Sequence, residues 1–188
     1  GTGAGDLYDI SFLPVTLPAL DDRLTRKPQA GKTGEEQAPI GIHARFSHAT
    51  EVAKAGYYAV TLEPYDIRVE LTATDRVGAQ RYKDADSVCI ILNLDKAMNW
   101  DRTVNSDARA ISPTQITGFR YSDGWARNQK VYFATKLSRP AARIERTAIP
   151  YTLDSGQECK SVRYGIILRL YYNKVRAGES ITLCTALS

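Results

Sequence analysis

The sequence predicts an all-β fold, an antiparallel β-sandwich built as one domain over residues 1–188, and three observations carry that prediction. Apolar and polar residues alternate with a period of two, as in Tyr58, Val60 and Leu62 against Ala59, Thr61 and Glu63. Successive strand side chains point to opposite faces, so this period marks half-buried strands. Turn residues recur between the runs, and no stretch sustains helical spacing. About ten short strands separated by turn signals fit a sandwich better than any helical architecture.

Taken in order, Leu7 to Pro18 contains Pro14 and Pro18 and reads as an irregular or edge strand, because proline cannot donate to a ladder on both sides. Asp21 to Ala38 is almost wholly polar, with Pro28, Gly31 and Gly34, and is expected to be a long surface loop. Ile40 to Phe46 resumes alternation, and Ala49 to Ala55 reads as a short helical turn or a bulged crossing. Tyr58 to Tyr82 then forms a meander of three strands, reversing at Glu63-Pro64-Tyr65-Asp66 and again at Asp75 to Gly78. Ser87 to Leu94 holds the continuous apolar run VCIILNL, the pattern of a strand buried on both faces.

Asp95 to Asp107 is less regular and rich in Asn and Asp around Trp100, and reads as solvated turns in preference to a metal loop. Gln115 to Tyr121 and Lys130 to Leu137 are expected to pair as a hairpin across SDGWARNQ. Arg143 to Ile149 is a further strand, followed by a polar turn at Asp154 to Lys160. Val162 to Tyr172 and Glu179 to Leu187 are expected to form a last hairpin across Asn173 to Gly178.

Composition narrows the function classes. Lys and Arg total 25 against 21 Asp and Glu, a net charge of +4, and the basic residues are scattered, which argues against a nucleic-acid partner. No apolar run reaches the roughly 20 residues of a membrane-spanning helix. The chain opens Gly-Thr-Gly without a methionine, as a cut-out or processed segment would, and Gly1 fits a tag remnant. Three cysteines do not make a disulfide framework. Cys89 and Cys184 lie in apolar strand-like runs and are expected to be buried, whereas Cys159 falls in a turn. With only His43 and His48 and no CxxC, no zinc-ligand spacing exists.

Several residues bear chemistry. The opening GTGAGD offers glycine backbone that a ligand can approach closely, and Asp6 can accept bonds from sugar hydroxyls. No strand precedes it and no helix follows, so it is not a dinucleotide loop; a tight structural loop and a ligand loop both remain open. His48 has the residue type for proton transfer at neutral pH, but without an assignable nucleophile a structural hydrogen-bonding role is preferred. Arg76 and Arg81 in the meander read as ion-pair partners of Glu70 or Asp75, or as a solvated face. Trp100 reads as a plug at the end of the sandwich, and Tyr58, Tyr82 and Tyr132 read as core residues.

Four ordered blocks carry a family resemblance: GTGAGDLYDISFLPVTLP; then FSH, an acidic residue, GYYAVTL, I-x-VELTAT-x-R-x-G and RY; then GFRYSDGWARNQKVYFATKLSRP; and finally AGESITLCTALS. Together they resemble the N-terminal β-domain of glycoside hydrolase family 92, the calcium-dependent α-mannosidases. The resemblance implies a β-sandwich of the supersandwich type that is a fragment of a larger glycosidase. In the family the catalytic acid and base lie mostly in a C-terminal α/α-barrel, so no catalytic residue and no metal ligand is assigned to this chain. Calcium is expected in the parent enzyme, bound mainly outside the fragment.

The partners implied are that barrel and mannose-containing glycans, in the periplasm or at the cell surface. The parent would act as an exo-acting α-mannosidase, an α-1,2-mannosidase in the first instance, working with inversion; its acid and base would stand roughly 6.5 to 9.5 Å apart to admit water. Thr2, Gly3, Gly5, Asp6, His48 and Trp125 are the candidate substrate-rim residues, with Trp125 favoured for packing at a domain interface. Two other readings stand beside it. One is a free-standing carbohydrate-binding sandwich stacking sugars on Trp100, Trp125 and tyrosines, which requires coplanar exposed rings on one sheet face; the other is a structural or adhesive β-domain. A large exposed apolar patch would favour the accessory-domain reading over both.

Overall fold

The computed structural model describes residues 9–16, 44–83, 87–94, 102–124, 126–152, 162–173, 175 and 178–188. The polar stretch expected as a loop at 21–38 lies outside them, as do Thr2, Gly3, Gly5, Asp6, His43, Trp100, Trp125 and Cys159. Among the described residues thirteen strands follow one another: β1 (Ser11–Thr16), β2 (Arg45–Phe46), β3 (Val52–Lys54), β4 (Tyr57–Glu63), β5 (Ile67–Ala73), β6 (Val77–Lys83), β7 (Val88–Asn93), β8 (Arg102–Ser112), β9 (Gln115–Asp123), β10 (Gln129–Leu137), β11 (Arg143–Thr152), β12 (Val162–Tyr172) and β13 (Ser180–Leu187). The sole helical element among the described residues is a 3-10 turn at His48–Thr50, capped by the Ser47 hydroxyl. Of the two readings of residues 49–55 the turn is present, and in place of a bulged crossing Val52–Lys54 forms a short strand paired with β4.

The strands form two antiparallel sheets, as expected of a sandwich. Four make the order β1-β7-β12-β11; nine make the other, β2-β4-β5-β6-β13-β10-β9-β8, with β3 pairing β4 beside β2. β1 is an edge strand, in keeping with Pro14. The meander of β4, β5 and β6 is present as expected, and its register sets Val60 opposite Val69 and Val69 opposite Tyr82. Its first reversal places Tyr65 in the core, 3% exposed, with Asp66 at φ 53°, a conformation aspartate tolerates. The inner face of the large sheet contributes Ile67, Val69, Tyr82, Ile116, Phe133, Leu137, Ile181 and Leu183 to one core shared with Val88 to Leu92, Ile166 to Leu168 and Leu170.

Four expectations change. β12 and β13 are not a hairpin: β12 lies between β7 and β11 in the small sheet, and β13 between β6 and β10 in the large one. The reason is legible in burial. β12 is buried almost continuously over Ile166–Tyr172, like β7, whereas β13 alternates, so the two suit differently covered sheets. β8 is a regular strand from Arg102 onward rather than irregular chain. Register shifts between Thr103 and Asn105 and between Ala110 and Ser112 break its phase.

Alternation also moves two residues outward. Cys184 is exposed, because Ile181, Leu183 and Thr185 take the inward positions of β13. Tyr132 is 47% exposed on β10, where Phe133, Thr135 and Leu137 face inward. Cys89 is buried as expected, and burial pushes its thiol up to about 12.

Candidate functional site

On β9 the inward positions are Ile116, Gly118, Arg120 and Ser122, so the period of two drives a guanidinium into the interior. Gly118 is required there: a Cβ would lie 2.4 Å from the Asp107 carbonyl oxygen and 2.6 Å from the Phe133 ring. Arg120 is fully buried, and a charge so placed must be paired and hydrogen-bonded. Its Nη1 donates to Asp9 Oδ1 at 2.7 Å, and its Nε donates to Thr103 Oγ1 at 3.0 Å and to the Leu94 carbonyl at 3.2 Å. Thr103 also donates to Leu94 at 3.0 Å, and Gln129 Nε2 donates to Asp9 Oδ2 at 2.8 Å.

This network gathers one end of the sandwich. Asp9 leads into β1, Leu94 follows β7, Thr103 begins β8, Arg120 nears the end of β9, and Gln129 opens β10. The β9–β10 connection is closed by its own side chains: the Asn128 N–H donates to Asp123 Oδ1 at 2.9 Å, with Asn128 at φ 57°. Two motif blocks far apart in sequence therefore meet on one carboxylate. Asp9 closes the segment that begins GTGAGD, and Gln129 ends the turn that holds Trp125.

His48 is placed elsewhere. It stands beside β2 and β4, at the opposite edge of the large sheet from β8 and β9. Its Nδ1 lies 2.5 Å from Glu51 Oε2, and Tyr58 donates to Glu51 Oε1 at 2.7 Å. The bonds from His48 and then Tyr58 hold the Glu51 carboxyl below its usual range, and the same carboxylate raises Tyr58. The His48 side chain is 86% exposed. Arg81 pairs with Glu70 at 2.5 Å, and Lys83 joins at 3.1 Å.

The outer face of the same β9–β10 hairpin carries aromatic rings. Phe119 and Tyr121 have centroids 4.7 Å apart, the Tyr121 and Tyr132 hydroxyls are bonded at 2.6 Å, and Lys130 stands 5.5 Å over the Tyr121 ring. The planes are tilted by 34° between Phe119 and Tyr121 and by 77° between Tyr121 and Tyr132. These three rings are not coplanar with one another. The large exposed apolar side chains among the described residues are Phe46, Val77, Ile111, Tyr132 and Leu187, spread over several strands. Among the described residues no group of three or more His, Cys, Asp or Glu side chains is placed to hold a metal ion, and no helix is long and apolar enough to cross a membrane.

Sequence reasoning did not single out Asp9 or Arg120. A signal was present: Arg120 is in phase with Ile116, so alternation alone sends it inward.

Comparison with known proteins follows the same lines. The family model described as the glycosyl hydrolase family 92 N-terminal domain matches residues 1–188. The family GH92 alpha-mannosidase BT3965 from Bacteroides thetaiotaomicron, solved with mannoimidazole, is 28% identical with a TM-score of 0.75, covering 100% of this chain and 24% of its own. The inverting mannosidase BT2199 of the same organism is 21% identical with a TM-score of 0.60 over 95% of this chain and 21% of its own, a likeness of fold. No curated protein matches. The chain spans about a quarter of the length of the solved BT3965 enzyme. With its whole length matched by the family model and its two sheets superposing on a solved member, the chain belongs to glycosyl hydrolase family 92 and is its N-terminal domain.

Proposed function

We propose that this domain is the accessory part of an exo-acting α-mannosidase that removes terminal mannose from glycans with inversion, α-1,2-linked mannose being the substrate put forward first. The domain packs against a C-terminal α/α-barrel of the same parent chain and lends loops to the rim of the mannose pocket. The acid, the base and most calcium ligands belong to the barrel, and the parent works in the periplasm or at the cell surface. The observation that supports the rim role is the meeting of Asp9 and Gln129, which brings the chain before β1 and the turn before β10 to one end of the sandwich. Thr2, Gly3, Gly5, Asp6 and Trp125 are the proposed rim residues. His48, at the far edge of the large sheet, has no part in that cluster.

The test is calorimetric and kinetic. Mannose and an α-mannobiose are titrated into the 188-residue chain with and without calcium, beside assays of the chain alone and of the chain mixed with its separately expressed barrel. The expected result is no sugar binding and no turnover by the chain alone, with activity on mixing. Turnover by the chain alone would overturn the accessory role. Sugar binding by the chain alone, abolished by Trp125→Ala, would make it a binding module instead.

A further inference from the structure

We propose that the outer face of the large sheet over β8, β9, β10 and β13 is the surface on which the remainder of the parent chain docks, and that the part seated there is acidic. The inference rests on the accessory role proposed above and adds where the contact is made. The two sheets differ in what covers them outside. In the small sheet Tyr172 neighbours Tyr82 of the large sheet, so Tyr171 and its register partners Cys89 and Val15 point the other way. On that outward side Val15, Cys89, Ile91 and Ile167 are at most 4% exposed. The small sheet is thus already covered on both faces.

The large sheet is open outside, and its two halves are unlike. Over β4 to β6 the outward charges satisfy one another, Glu70 accepting from Tyr57, Arg81 and Lys83. Over β13 and β10 the outward residues Cys184, Ala186 and Ala134 are small and exposed, and beside them lie the Phe119, Tyr121 and Tyr132 rings. Arg109, Lys130 and Lys136 are exposed there, and among the described residues no carboxylate pairs with them. The nearby Asp107 is held by Arg146 at 2.8 Å. Tyrosine and arginine on a surface no more apolar than its surroundings are the usual composition of a protein contact. Bases without acids select a partner of the opposite charge.

The occupant follows from β13, which runs down the middle of the large sheet. Ser188 is bonded to Tyr132 in both directions at 2.9 Å. A parent chain that runs on past residue 188, as the accessory role requires, therefore starts beside the Tyr121–Tyr132 pair. This chain covers 24% of the solved BT3965 enzyme, so a parent of that size has ample chain to cover four strands.

The experiment labels the full-length enzyme that carries this domain with a maleimide and reads each cysteine by peptide mapping. Cys184 is the native probe, exposed in this domain between Ala79 and Lys136. Lys54→Cys, on the exposed β3 near the far edge of the same sheet, supplies the open reference. Cys184 is expected to label at least about tenfold more slowly than that reference. Arg109→Glu and Lys130→Glu together are expected to remove most of the difference. Equal labelling without the charge reversals would overturn the proposal, as would protection that the reversals do not move. Protection lost on dilution as a dimer separates would assign the face to a second copy, and protection that appears only with mannobiose would assign it to sugar; either overturns the proposal.

A melt of the same enzyme separates this inference from the accessory role. One joint transition with Cys184 freely labelled means that the domain docks by another face, and only this proposal falls. Two independent transitions, with activity kept after the domain is cleaved away, remove the accessory role and this proposal with it.

Discussion

Two carboxylates in this domain hold arginines at nearly the same distance in opposite surroundings. Asp9 meets Arg120 at 2.7 Å, with the arginine fully buried; Glu70 meets Arg81 at 2.5 Å on the outer face of the large sheet, with the arginine 47% exposed. Distance does not separate them, but water does. On the outer face either partner can be solvated when the other is lost, whereas in the interior water does not take the place of a lost carboxylate. The surface cluster is also redundant: Glu70 accepts from Lys83 and Tyr57 as well as Arg81. The inner network joins five strands of both sheets, while the outer one joins neighbours of a single meander.

The largest effect that separates the two is expected from truncating one partner inside. Asp9→Ala takes one carboxylate away from a fully buried guanidinium and is expected to cost about 3–5 kcal/mol in chemical denaturation. A loss under about 1 kcal/mol would make the two clusters equivalent. On the surface, Glu70→Gln is expected to cost about 1 kcal/mol at neutral pH. Its bonds, that from Arg81 first, hold the Glu70 carboxyl down to about 2 from an ordinary 4.5. A depressed carboxyl adds stability that is complete above its unfolded value and is lost as pH falls toward its folded one. Part of the domain's stability should therefore disappear between pH 4.5 and about 2, and Glu70→Gln should flatten that part of the curve. A slope unchanged by the substitution would remove Glu70 from the account. The smallest effect belongs to His48→Ala, which deletes a contact made by a side chain 86% exposed and is expected to move the melting temperature by less than about 1 °C.

The fold was legible wherever one strand face meets water. The meander of β4 to β6 and the β9–β10 hairpin follow from the period of two and from turn residues between. β8 was not, because its bulges reset the phase and its inward residues at Thr103, Ser106 and Ala108 are small or polar. The candidate site was half legible. The motif blocks beginning GTGAGD and containing GWARNQ pointed to two segments, but nothing local says that they meet. Arg120 pairs with a residue 111 positions away, and Gln129 with the same residue 120 positions away.

By itself the sequence determined where most of the regular strands run, and through its four ordered blocks the family, because both are properties of neighbouring residues. Which strands share a sheet, why β12 and β13 part, and which carboxylate meets Arg120 were decided by the tertiary structure. Those choices are made between segments far apart in the chain, where burial of a common core and the need to pair an interior charge select the partners.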